Sequence, residues 1–134
     1  MPVINETSAL VALSLGCPTV LQLLASEKRI EQVGLLVLVS PGTRPVVIQK
    51  GYGFLGHFFD GLDRTFARVA EKVRRIEVLT SDNDPFSSHV DIFAMAKRLG
   101  ASFHSIHDGG HLDTDSGFYK FPLVLDMIAP VVTE

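Results

Sequence analysis

Leu10-Val11-Ala12-Leu13-Ser14-Leu15-Gly16-Cys17-Pro18-Thr19 is the stretch on which the reading of this chain turns. Apolar residues run up to Ser14 and resume after it, as in a strand, a sharp turn and a helix. Small-x-Ser-x-Gly at such a turn is the pattern of a nucleophile elbow. The turn is tight, so the positions two before and two after the serine must be small; here they are Ala12 and Gly16. Ala12 stands where glycine is usual. This geometry would lift Ser14 Oγ out at the C-terminal edge of a parallel sheet. It would also aim the N–H groups of the helix start at the same point. The simpler alternative is that Ser14 only N-caps a buried helix.

Outward from the elbow, the chain alternates. Ser8 to Leu13 reads as the first strand and Leu15 to Ala25 as a helix that is apolar nearly all round, hence buried on more than one side. Pro18 is tolerated in its first turn. Val33 to Val39 is a continuous apolar run, as expected of a parallel strand covered on both faces. Leu62, Phe66, Val69, Ala70 and Val73 recur at helical spacing. Arg75 to Thr80 reads as a third strand. Ser88 and Asp91 form a capping box for a helix whose stripe is Ile92, Met95, Ala96 and Leu99, with Gly100 as its stop. Ser102 to His107 reads as the last strand. Phe118, Phe121, Leu125 and Ile128 mark a final helix, with Pro122 in its first turn. Four strands alternating with helices predict an α/β fold, a mostly parallel sheet with helices on both faces and right-handed crossovers.

The 134 residues suit a single domain, residues 1–134, with a real core. Hydrophobic residues make up 46% and charged ones 20%, a globular balance. The net charge of −3 and the absence of any basic run longer than Arg74-Arg75 give nucleic-acid binding no electrostatic support. Cys17 is the one cysteine, so no internal disulfide is possible; with no signal peptide, a reducing cytoplasmic setting is expected. The longest apolar run, Leu35 to Val39, is too short to span a bilayer.

In parallel α/β sheets the functional loops gather at the strand C-termini. Here those ends carry Ser14, the Ser40 region, Asp82 and Asp84, then His107, Asp108 and His111. The order serine, acid, histidine is that of a serine hydrolase. A serine hydroxyl needs a histidine to take its proton, and the histidine needs an acid to fix its tautomer. Asp82 and Asp84 are the acid candidates; Asp84 is preferred because Pro85 biases it to an extended conformation. His107 and His111 are the base candidates; His111 is preferred because Gly109-Gly110 lets it reach a neighbouring strand end. His57, His89 and His104 read as ordinary surface or partly buried histidines. Cys17 is a lesser candidate nucleophile at the helix N-terminus, but its position after the elbow favours packing inward. Between Gly42 and Gly61 lie a cluster of glycines and the aromatics Tyr52, Phe54, Phe58 and Phe59. The expectation is that this segment covers an acyl pocket, with Phe54, Phe58 or Phe59 making apolar contacts; an irregular surface loop is the alternative.

Leu13-Ser14-Leu15-Gly16-Cys17-Pro18-Thr19, Leu38-Val39-Ser40-Pro41, Ser81-Asp82-Asn83-Asp84-Pro85-Phe86 and Gly109-Gly110-His111 together resemble the YdeN-like serine hydrolases. That family includes the retinoblastoma-binding protein type within the α/β-hydrolase superfamily. The resemblance runs over nearly the whole chain and departs at Leu13, where the family typically has histidine. It implies Ser14 as nucleophile, Asp84 as acid and His111 as base, in a small cytoplasmic hydrolase of esters or related acyl compounds with no metal or cofactor. In that fold several strands precede the serine strand, and thirteen residues cannot supply them. This chain would then be the C-terminal portion of the fold. The expectation is a piece of a longer protein, or a chain completed by another. Only the N–H of Leu15 would remain of the usual pair of oxyanion donors. The Ser8–Leu13 strand would be a free edge, so association through it, most simply as a homodimer, is expected. A catalytically weak binding module that keeps the hydrolase shape is the rival reading.

Overall fold

The structure, a computed structural model, describes residues 3–43, 61–118 and 120–132. Four strands form one sheet in the order β1 (Ala9–Leu13), β2 (Val33–Val39), β3 (Val73–Ser81), β4 (Ser102–Ile106). Every neighbouring pair is parallel. The helices are α1 (Gly16–Ser26), α2 (Phe66–Lys72), α3 (His89–Leu99) and α4 (Pro122–Val132).

Strand order equal to chain order has a direct consequence. Successive right-handed crossovers that advance the same way put their helices on the same face. α1 packs on α2 and α2 on α3. Their buried residues, among them Leu21, Leu24, Val69, Ile92 and Leu99, share one core with Leu36, Leu38 and Val78 of the sheet. α4 follows the last strand and returns over the other face. There Val124 and Met127 meet Leu35, Val37, Val39 and Leu79. β2 is covered from both sides, and all seven of its residues are buried.

Within β2 the side-chain alternation slips at Gly34. Val33 faces the same core as Leu36 and Leu38, although strict alternation would place it with Leu35. The N–H groups of Gly34 and Leu35 both reach the Ser8 carbonyl at 3.1 Å. The register with β3 passes this point with no inserted residue, and only glycine fits there. A Cβ on Gly34 would run into the Glu6 carbonyl oxygen and stand 2.7 Å from Val131 Cγ1 of α4.

Several expectations are corrected. α1 is not buried all round: Cys17, Pro18, Leu21 and Leu24 face the core, whereas Leu23 is 42% exposed. The sheet and α2 cover only one side of it. Leu62 sits in a short 3-10 turn, and Val73 opens β3 instead of closing α2. In α4 the buried positions are Val124 and Met127, while Leu125 is 63% exposed; Phe118 and Phe121 pack beneath the helix from the segment before it. α3 is bounded as its caps dictate. Ser88 Oγ accepts the Asp91 N–H at 3.3 Å, and Gly100 takes a left-handed φ of 67°. Among the described residues no helix is long and apolar enough to cross a membrane.

Candidate active site

The four strands run in parallel, so the segments that follow them meet along one edge of the sheet. Ser14 is the first residue after β1. Its φ of 56° is left-handed, a conformation rare for a residue with a side chain. Its N–H donates to the Val39 carbonyl at 2.9 Å. Its own carbonyl accepts from the N–H groups of Cys17 at 3.1 Å and Gly42 at 3.2 Å. Ser14 makes no side-chain cap: the N-cap residue of α1 is Leu15, without a side-chain cap bond. Instead Ser14 Oγ lies 2.9 Å from His111 Nε2. Ala12 and Gly16 do face each other across the elbow, but a Cβ on Gly16 would stand 3.9 Å from Ala12 Cβ, an ordinary contact. A methyl group would therefore fit there.

His111 Nδ1 lies 2.8 Å from Asp84 Oδ2. An ionised carboxylate only accepts, so Nδ1 carries the proton and Nε2 is left to accept from Ser14. The Asp84 side chain is 1% exposed and that of His111 11%. Asp84 Oδ1 takes the N–H of Phe86 at 2.8 Å, the local turn that Pro85 favours. The Phe86 ring stands edge-on to the His111 imidazole, 4.9 Å between centroids. Gly109 and Gly110 are needed on the way to His111. A Cβ on Gly109 would stand 2.6 Å from Leu112 Cδ2, and Gly110 has a φ of 59°.

Asp82 and His107 form a separate pair, with His107 Nδ1 2.8 Å from Asp82 Oδ2. This His107 side chain is 93% exposed. The Asp108 N–H and then His107 hold the Asp82 carboxyl below its usual range. The Asp82 hydrogen bond and charge push His107 up. His104 lies 2.6 Å from buried Glu77, and His89 3.0 Å from Ser105, both away from Ser14. Cys17 is fully buried with its thiol on the Ala12 and Val39 carbonyls. Burial pushes it up to about 12, so the helix dipole does not make it a thiolate. Among the described residues no group of three or more His, Cys, Asp or Glu side chains is placed to hold a metal ion. Phe54, Phe58, Phe59 and His57, with the rest of residues 44–60, lie outside the described residues.

The serine hydrolase family matches residues 2–130. This chain belongs to that family. It is 30% identical over 129 residues to a "Putative hydrolase YdeN" of Bacillus subtilis (strain 168), a match that spans 93% of this chain and 64% of that protein. The crystal structure of the ydeN gene product from B. subtilis superposes with a TM-score of 0.84 at 26% identity, covering 98% of this chain and 68% of that one. The YdeN-like resemblance read from the elbow and the three later stretches therefore holds, and so does the α/β fold. This serine hydrolase chain spans a little under two thirds of the length of the curated relative.

Three contributors to the site carried no assigned role at the level of sequence. Ser40 Oγ donates to the His111 carbonyl at 2.6 Å. Ser81 Oγ donates to the Gly110 carbonyl. Asn83 Oδ1 accepts the Gly110 N–H at 2.8 Å. The available signal was a small hydroxyl residue at the C-terminal end of each of two apolar parallel strands.

Proposed function

We propose that this serine hydrolase cleaves small esters or related acyl compounds, with Ser14 as nucleophile, His111 as general base and Asp84 as the acid that orients it. The observation that carries the proposal is the continuous hydrogen-bond chain from Ser14 Oγ through both ring nitrogens of His111 to Asp84. His111 Nε2 takes the hydroxyl proton as Ser14 Oγ bonds to the acyl carbon. The carbonyl oxygen becomes an oxyanion, toward which the Leu15 N–H is one donor. The intermediate collapses and the leaving alcohol departs with the proton held on His111. A water then attacks the acyl-Ser14 ester, giving its proton to His111; the carboxylic acid leaves and Ser14 regains its hydroxyl. Throughout, the Asp84 carboxylate stabilises the imidazolium without accepting its proton.

The expected result with a fluorophosphonate probe is a single label on Ser14. Turnover of a short-chain p-nitrophenyl ester should be lost in Ser14→Ala. A folded sample that takes no label at Ser14 overturns the proposal.

One observation favours a second reading, a weakly active or inactive binding module. β1 is the terminal strand of the described sheet, so no described strand flanks Ser14 on its far side to supply a second oxyanion donor. Losing one such donor costs about a hundred- to a thousandfold in turnover. Ester turnover that is measurable and abolished by Ser14→Ala rules against the pure binding form of this reading.

A further inference from the structure

We propose that Ser40 is a positioning residue that sets the distance between Ser14 and His111, an inference that rests on the roles proposed above for those two residues. Ser40 is the first residue after β2 and is fully buried. Its φ of 46° is left-handed. Glycine is the unstrained residue for that conformation, and what glycine lacks is a side chain. Here the side chain is in use: Ser40 Oγ donates to the His111 carbonyl at 2.6 Å. The backbone on both sides of Ser40 holds the other partner. The Val39 carbonyl accepts the Ser14 N–H at 2.9 Å, and the Gly42 N–H donates to the Ser14 carbonyl at 3.2 Å. The Ser40 N–H donates to Leu79 of β3 at 2.8 Å, which roots the turn in the sheet. Nucleophile and base, 97 positions apart in sequence, are thus tied to one turn of four residues, Val39 to Gly42.

The acid side is tied separately. Ser81 Oγ holds the Gly110 carbonyl and Asn83 Oδ1 holds the Gly110 N–H. These bonds join the loop that carries Asp84 to the loop that carries His111, without touching Ser14. Loss of the Ser40 hydroxyl should therefore loosen the Ser14–His111 contact and leave the His111–Asp84 contact standing. Loss of the Ser81 hydroxyl should loosen the His111–Asp84 contact. A small displacement of reacting groups is costly, on the order of a hundredfold per ångström.

The test is Ser40→Gly in the 134-residue chain, with Ser81→Ala beside it. Three readouts are taken: the rate of fluorophosphonate labelling at Ser14, the downfield NMR resonance of the His111 Nδ1 proton, and the melting temperature. The expected result for Ser40→Gly is labelling slowed about ten- to a hundredfold, with the resonance kept and the melting temperature maintained because glycine relieves the left-handed strain. Ser81→Ala is expected to broaden or lose the resonance. Ser40→Ala is read by the same criteria if the glycine variant does not fold. Labelling at the wild-type rate overturns the positioning role and leaves the Ser14–His111–Asp84 reading intact. Loss of labelling, resonance and melting temperature together shows a general structural role and also overturns it. A wild-type chain that takes no label brings down the parent reading itself.

Discussion

Asp84 and Asp82 are two residues apart and do opposite things. Asp84 is buried against His111, where its charge has no water to screen it; Asp82 is exposed and pairs with exposed His107. For Asp84→Asn the expected result is a loss of about 10³–10⁴-fold in kcat with little change in KM, because an amide no longer enforces the Nδ1–H tautomer. Steady-state ester hydrolysis measures it, and a loss in KM alone contradicts it. The Asp82–His107 pair yields a prediction in pH. Asp82 is depressed in the folded state, so its contribution to stability is present above its ordinary value, about 3.9, and is lost as pH falls through the lower folded value. His107 is raised, so its contribution is complete below its ordinary value, about 6.5, and is lost as pH rises through the higher folded value. The two windows overlap between about pH 4 and 6.5. The melting-temperature deficit of His107→Ala is expected to be greatest in that interval and to fade at alkaline pH. A deficit that is flat to about pH 9 contradicts it.

Among the elements, β2 carries the heaviest packing duty. It is the strand shared by both cores, and its one irregularity is Gly34. Gly34→Ala would place a methyl against the Glu6 carbonyl and Val131, so the segment before β1 and the end of α4 would both have to move. The expected cost is about 1–3 kcal/mol, read from the urea midpoint; an unchanged midpoint contradicts it. The same strand sets the reach of the site, because its C-terminal turn carries Ser40 and supports the elbow at the end of β1.

Over the whole molecule, β1 is paired on one side only, by β2, among the described residues. Val11 and Leu13 on this strand are 48% and 45% exposed. No charge or proline interrupts Ser8 to Leu13. Edges of that kind invite further pairing. The chain is expected to scatter light as a species larger than a monomer at low micromolar concentration, and Val11→Lys is expected to shift it toward the monomer. A monodisperse wild-type monomer contradicts the expectation.

The sequence by itself determined the elements whose signals are local. The apolar run of β2 read as a strand covered on both faces. α3 was bounded by the chemistry of Ser88 and Gly100. The elbow was legible because Ala12, Ser14 and Gly16 sit within one turn of each other. It did not determine which faces of α1 and α4 are buried. Both helices have apolar residues around most of their circumference, so periodicity cannot choose among them; the sheet does, burying Val124 and Met127 and leaving Leu125 and Leu23 to solvent. The sequence ranked Asp84 above Asp82 through Pro85, and His111 above His107 through Gly109-Gly110, but it placed none of the four in contact. Only the adjacency of β3 and β4 sorts them into Asp82–His107 and Asp84–His111, and only the turn after β2 brings the second pair to Ser14. These separations are set by strand neighbours far apart in sequence, and no local pattern encodes them.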